Sequence, residues 1–336
     1  MFMGISGDLL MKTSEQCLVL LSTYCKHCAR LLTSGSSAAA HGGKAGDALS
    51  DEEMKDAYRG VCAWLRILSA FCDSRVDGAG DAAITEVGQV VIMGINALLP
   101  FVSVDLLAFP KLSSRYFELL AKVLRAFPDQ VCSLEPESFM RLMRTLEFGL
   151  LRLDCGAGRH ALVGLGGLST RFLRVRMQGQ HQQPNGGGMI PASVVASSAA
   201  NASVLPEFLE IVVENVLLGL PRGGAAVSRS QVAALAPEAV DALLPLAVHE
   251  KPCFERLIHR LASSQQSTTE RDYVAAQLND ILNMTSSSDL VGRHMNASGT
   301  GSGGNGGAAR KDPMLCEYRE RAAVAARNVR AVLLID

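Results

Sequence analysis

Apolar residues recur at helical spacing along nearly the whole chain. Leu18, Leu21, Cys25, Cys28 and Leu32 advance by alternating threes and fours, and Val61, Leu65, Leu68 and Cys72 keep the same rhythm. Such steps gather side chains on one face of a 3.6-residue helix, and no segment keeps the alternation of a strand. The pattern predicts helices near residues 13–33, 51–72, 84–101, 112–127, 135–151, 158–176, 204–220, 228–248, 252–262, 268–284 and 313–334. Start signals agree. Ser50 with Glu53, Ser228 with Gln231 and Ser267 with Glu270 fit the capping box, in which side chains satisfy the orphan backbone donors of a first turn. Pro136, Pro206 and Pro237 fit first-turn positions, where a missing N–H is harmless.

The first ten helices pair into five antiparallel hairpins, and units of about 40 to 47 residues are the period of HEAT and armadillo arrays. The expected fold is therefore all-α, a HEAT-like α-α superhelix over residues 1–285. Low-complexity inserts fall at about 34–48 and 177–203, a Gly/Ser-rich linker at 286–311 and an amphipathic helix at 312–336. On that last helix Tyr318, Ala322, Ala325, Val329 and Val332 form the apolar face, with Arg319, Arg327 and Arg330 expected to meet water as the polar cover of an array's end.

Composition sharpens this reading. Hydrophobic residues make up 48% of the 336 while aromatics make up 5%, and the excess is Leu, Ala and Val, which fill helix-on-helix cores. The 32 Lys and Arg nearly cancel the 33 Asp and Glu, so the overall field that draws a protein to nucleic acid is missing. Nine cysteines, an odd number set mostly within apolar helical patterns, point to a reducing compartment. No run of about 18 apolar residues announces a membrane-spanning segment, so no membrane insertion is expected.

Candidate chemistry is sparse. Cys25, His27 and Cys28 offer the first ligands of a zinc site, but no second pair follows, and the cysteines sit on an apolar stripe. The segment from Cys155 to Thr170 is rich in glycine like a phosphate-binding loop, yet lacks both the Lys-Ser/Thr ending and a preceding strand, so it reads as a helix. His249 and His259 are isolated. No catalytic residue, cofactor or metal is expected, and the chain does not read as an enzyme. One organised charge pattern remains: Arg115, Glu118, Lys122 and Arg125 lie along one helix face opposite Phe117, Leu120 and Leu124. Lys55, Arg59 and Arg66 repeat the arrangement on an earlier helix. Such stripes are either a solvated face or the lining on which a solenoid binds a partner.

The segment VVIMGINALLPFVSVDLLAFPKLSSRYFELL (90–120) closely resembles exportins of the importin-β (karyopherin-β) superfamily. It is followed in matching order by FPDQVCSLEPESFMRLMRTLEFGL (127–150), SSQQ (263–266) and LNDILN (278–283). The resemblance implies a HEAT-repeat superhelix that takes protein cargo through the nuclear pore together with Ran-GTP. It also implies contact with nucleoporins and shuttling between nucleus and cytoplasm, all by binding and without catalysis. Members of this family are several times longer, and the repeats supplying most of the Ran grip precede the matched region. The chain is thus expected to be the C-terminal segment of such a receptor. The alternative is an α-solenoid scaffold that binds proteins without Ran.

Overall fold

The computed structural model describes residues 12–13, 16–17, 19–21, 23–24, 51–73, 81–102, 107, 109–152, 155–181, 201–220, 228–299 and 312–333. The described residues are overwhelmingly helical and contain no strand. The expected insert at 34–48, Ser50 of one capping box, and Cys25, His27 and Cys28 lie outside them. Residues 1–130 and 131–336 form two compact units.

In the first unit, α1 (Asp51–Asp73), α2 (Asp81–Leu98) and α3 (Pro110–Ala126) pack together. The spacing read from the sequence is the buried face of α1, with Val61, Leu65, Leu68 and Cys72 all enclosed. They meet Val91, Ile95 and Leu98 of α2 and Tyr116, Phe117, Leu120 and Leu124 of α3 in the same core. Helices α1 and α3, separated in the chain by α2, run parallel. Near their starts Tyr58 meets Phe109, and near their ends Asp73 meets Lys122.

The boundary between the units falls within a short helix, α4 (Pro128–Cys132). Next come α5 (Pro136–Arg152), α6 (Cys155–His181) and α7, which starts as an α-helix at Leu205–Glu210 and widens to a π-helix at Ile211–Leu217. Then follow α8 (Arg229–His249), α9 (Lys251–Ser263), α10 (Thr268–Thr285), α11 (Ser288–Gly299) and α12 (Pro313–Leu333). Again two pairs of helices two apart, α6 with α8 and α5 with α7, run parallel. Arg159 bonds the Ala234 carbonyl, Gly166 faces Ala242, and Arg176 bonds the His249 carbonyl, so α6 and α8 match end to end. Likewise Asn201 bonds the Cys132 carbonyl and Asn215 the Leu150 carbonyl, aligning α7 with α4 and α5.

A close backbone approach occurs at Gly166, where an added Cβ would stand 3.5 Å from the Ala242 Cα. Small residues let α6 and α8 pack backbone to backbone. Against that contact Leu162, Leu165, Leu168 and Leu173 of α6 and Leu235, Val240, Leu243 and Leu246 of α8 are buried. Helix α8 is long and apolar enough to cross a membrane by length and composition, a property it shares with the core helices of packed proteins, and more than half of the stretch concerned is enclosed.

Several local readings need correction. Pro237 lies inside α8, as does Pro245, and not in a first turn. Each ring removes one ladder donor. The nearby carbonyls of Ala234 and Val240 accept from Arg159 and from the Tyr318 hydroxyl. Ser228 and Gln231 close a full capping box, while Ser267 takes the N-cap position of α10 without a side-chain bond. Residues 288–299 are helical where composition gave only linker, because Leu290 and Val291 find apolar burial. Helix α6 runs to His181, into the expected insert at 177–203, of which 182–200 lie outside the described residues. On α12, Tyr318, Ala322, Ala325 and Val329 are buried as expected and Arg327 is exposed, but Val332, Arg319 and Arg330 are half-buried. Arg319 pairs with Asp241 of α8, so α12 is packed against other helices on its charged flank too.

The Gly166 contact yields a graded expectation. Gly166→Ala places its methyl at ordinary contact distance and should leave stability unchanged or raise it by up to about 1 kcal/mol through helix propensity. Gly166→Leu should destabilise by about 1–3 kcal/mol through overpacking. Urea titrations of both variants measure this.

Candidate functional site

The charge stripe sits on α3, whose start is set by Phe109 and Pro110. Phe109 is in extended backbone, as a residue before proline prefers, and its carbonyl accepts from the amides of Leu112 and Ser113. From this start the helix buries Leu112, Tyr116, Phe117, Leu120 and Leu124 and turns Arg115, Glu118, Lys122 and Arg125 to the opposite side.

The four charges do not act alike. Lys122 is held. Its Nζ donates to Ser69 Oγ at 2.7 Å and Asp73 Oδ2 at 2.7 Å on α1, and it pairs with Glu118 Oε1 at 3.1 Å, one turn back. Burial pulls the Lys122 pKa down, but bonds to Asp73 and Glu118 more than offset this and hold it above the ordinary lysine value. Arg115 lies at the other end, near Tyr58, whose hydroxyl it makes easier to ionise. Burial and then Cys62 outweigh that effect and raise the Tyr58 pKa. Tyr58 stands edge-on to Phe109 with ring centroids 5.7 Å apart, and Phe109 remains 52% exposed. Arg125 is exposed in the last turn of α3, where a cation complements the helix dipole. On α1, Arg59 and Arg66 are also exposed, while the side chain of Lys55 lies outside the described set.

The surface thus has a structural middle at Lys122 and two outward ends. One end combines the exposed Phe109 with the half-buried Tyr58 and Arg115, the composition of energetic anchors in protein interfaces. Sequence reading found the stripe but missed Tyr58, Phe109, Ser69 and Asp73. The last two carried a signal, since polar residues four apart at the end of α1 share a helix face beside an apolar one.

A second polar cluster, in the other unit, was not anticipated. Arg319 Nε donates to Asp241 Oδ1 at 2.6 Å, and the buried Tyr318 hydroxyl reaches the Val240 carbonyl at 3.4 Å. His294 Nε2 lies 3.2 Å from Thr170 Oγ1. Burial lowers the His294 pKa to about 4, with Asp241 opposing and Arg319 reinforcing the shift. His249 bonds Glu250 Oε1 at 2.8 Å and meets the edge of Phe172, while His259 stands beside Ser263. No group of three metal-ligating side chains occurs among the described residues. The glycine-rich segment from Cys155 is helix α6, in which Ser169 and Thr170 return their hydroxyls to carbonyls of the same helix.

No protein-family model matches this chain, and no solved structure matches it.

Two outcomes follow from these groups. Lys122→Ala should cost about 1 kcal/mol, the scale of a half-exposed charged hydrogen bond. Because the folded pKa is raised, that contribution is complete at neutral pH and fades only as pH climbs past the ordinary lysine range near 10.4. His294 has the opposite sense. Its folded pKa is depressed, so the unfolded chain takes up the proton first and stability drains away as pH falls from about 6.5 towards 4. A His294→Gln variant should show a shallower decline in melting temperature across that window than the parent chain.

Proposed function

We propose that this chain is a segment of a nuclear transport receptor resembling exportin-4, binding protein cargo together with Ran-GTP. In this reading its helices form a HEAT-like superhelix, it passes the pore through nucleoporins, and it shuttles between nucleus and cytoplasm. Nothing in the cycle requires catalysis, a cofactor or nucleic acid. The observation that carries the reading is the register of helices two apart. Parallel pairing of α1 with α3, α5 with α7 and α6 with α8 is what stacking of antiparallel hairpins produces. The sequence resemblance across residues 90–150 and 263–283 then points to the transport family.

Within this reading the α1–α3 surface receives cargo. Arg115 and Arg125 supply its outward charge and Phe109 with Tyr58 its apolar anchor, while Glu118 and Lys122 hold the two helices in register. Ran-GTP and cargo strengthen each other when both favour one wrapped conformation.

A second reading, a protein-binding scaffold with no Ran dependence, draws support from α12. It runs antiparallel to both α8 and α10, with Arg319 on Asp241, Arg321 on Asp280 and Asn328 on Gln277, a departure from simple stacking.

Immobilised chain exposed to a cargo-rich nuclear extract and to Ran loaded with GTP or GDP separates the two. The transport reading expects the GTP form to be retained preferentially and to increase cargo capture. Charge reversal at Arg115 and Arg125 together should reduce cargo capture at least tenfold, about 1.4 kcal/mol, without changing the melting temperature. Capture indifferent to the nucleotide assigns the chain to the scaffold class.

A further inference from the structure

Helix α11 contacts α6, more than a hundred residues earlier in the chain, and also α10 and α12 on either side of it in sequence. Among its described side chains Leu290 and Val291 are buried. Its other ties are polar: His294 to Thr170, the Met295 carbonyl to Arg174 Nη2 at 3.1 Å, and Arg293 to Asp312 Oδ2 at 3.0 Å. The Thr170 hydroxyl already donates to the Gly166 carbonyl at 2.6 Å, so it accepts from the Nε2–H of His294. Helix α12, by contrast, buries Leu315, Tyr318, Ala322, Ala325, Ala326 and Val329.

Two further features mark α11 as separable. At its centre is Gly292, where an added Cβ would meet nothing within 4 Å. No close approach demands the glycine, yet it weakens a twelve-residue helix. The helices flanking α11 are also joined without it. Arg321 pairs with Asp280 at 2.7 Å, Asn328 bonds Gln277 at 3.1 Å, and Arg319 pairs with Asp241 on α8 at 2.6 Å. Removing α11 therefore leaves α8, α10 and α12 fastened to one another and uncovers the Thr170–Arg174 stretch of α6.

We propose that this stretch of α6 is a docking site for a helix and that α11 is its built-in, displaceable occupant. A partner helix fits when it carries an adjacent aliphatic pair and, one turn on, a ring nitrogen or amide donor for Thr170. Arg174 then takes a carbonyl of the incoming helix as it now takes that of Met295. Because α11 stays covalently attached on both sides, it competes at high effective concentration, and a partner must exceed that to enter. The proposal is independent of any transport role.

Hydrogen exchange on the intact chain tests the displaceable occupant. Residues 288–299 should exchange at least tenfold faster than α10 and α12, as expected of an element that opens alone. Leu290→Ala should speed α11 alone, and Gly292→Ala should slow it by about fivefold, the propensity difference between the two residues. If α11 exchanges only in step with α10 and α12, it is an integral part of the unit and the proposal fails. The docking site is tested with a chain lacking residues 288–299, shown by unchanged α10 and α12 exchange to remain folded. A fluorescent peptide of residues 287–299 should bind this chain saturably, bind the Gly292→Ala chain least, and lose binding on Thr170→Val or Arg174→Ala. Absence of saturable binding up to about 1 mM, or binding indifferent to Thr170 and Arg174, would overturn the docking site, since even a weak specific contact reaches that range.

Discussion

The second unit depends on the closeness of α6 and α8. Where Gly166 faces Ala242 there is room for a methyl group and little more, so the two helices meet nearly backbone to backbone. That contact fixes their parallel register from Arg159 to Arg176 and places α8 where α7, α9, α10 and α12 can all reach it. Larger residues at the contact would widen the spacing and strip neighbouring leucines of their packing, since interiors are close-packed and bistable and do not deform continuously.

Tight apolar packing leaves few places for polar groups, and those that occur do specific jobs. Asn215, on the π-helical part of α7, is buried and donates to the carbonyl of Leu150 near the end of α5, where the helix has no donor of its own to offer. Ser169 and Thr170 satisfy their hydroxyls within α6. Thr170, its proton given to the Gly166 carbonyl, can still accept, and His294 donates to it. The attachment of α11 is thus a consequence of how α6 meets its own polar requirements. In the first unit Lys122 plays the corresponding part, trading solvent for Ser69 and Asp73 and joining α1 to α3.

What could be read from the sequence tracks how local the cause is. Helix existence was legible because apolar spacing is a property of each segment, and the ends of α5, α9 and α10 lie within a residue or two of those expected. The prolines of α8 misled, because Pro237 looks like a helix start only if the segment before it is not already helical. Helix α11 was hidden because a stretch with glycine and serine gains its apolar burial partly from helices distant in sequence, α6 among them. The stripe from Arg115 to Arg125 was visible as a pattern, but that its lysine is structural follows from Asp73 and Ser69, distant in sequence. Arg319 and Arg330 were assigned to solvent for the same reason: their partners and neighbours belong to other helices.

The most direct measurement is a double-mutant cycle at the α6–α8 contact, combining Gly166→Leu with Ala242→Gly. If this contact sets the spacing of the two helices, trimming Ala242 makes room for the new leucine. The double variant should then be more stable than the sum of the single effects by at least about 0.5 kcal/mol, the coupling expected of residues in contact. Additive effects would show that the two positions do not constrain each other and would contradict the account of how this unit is held together.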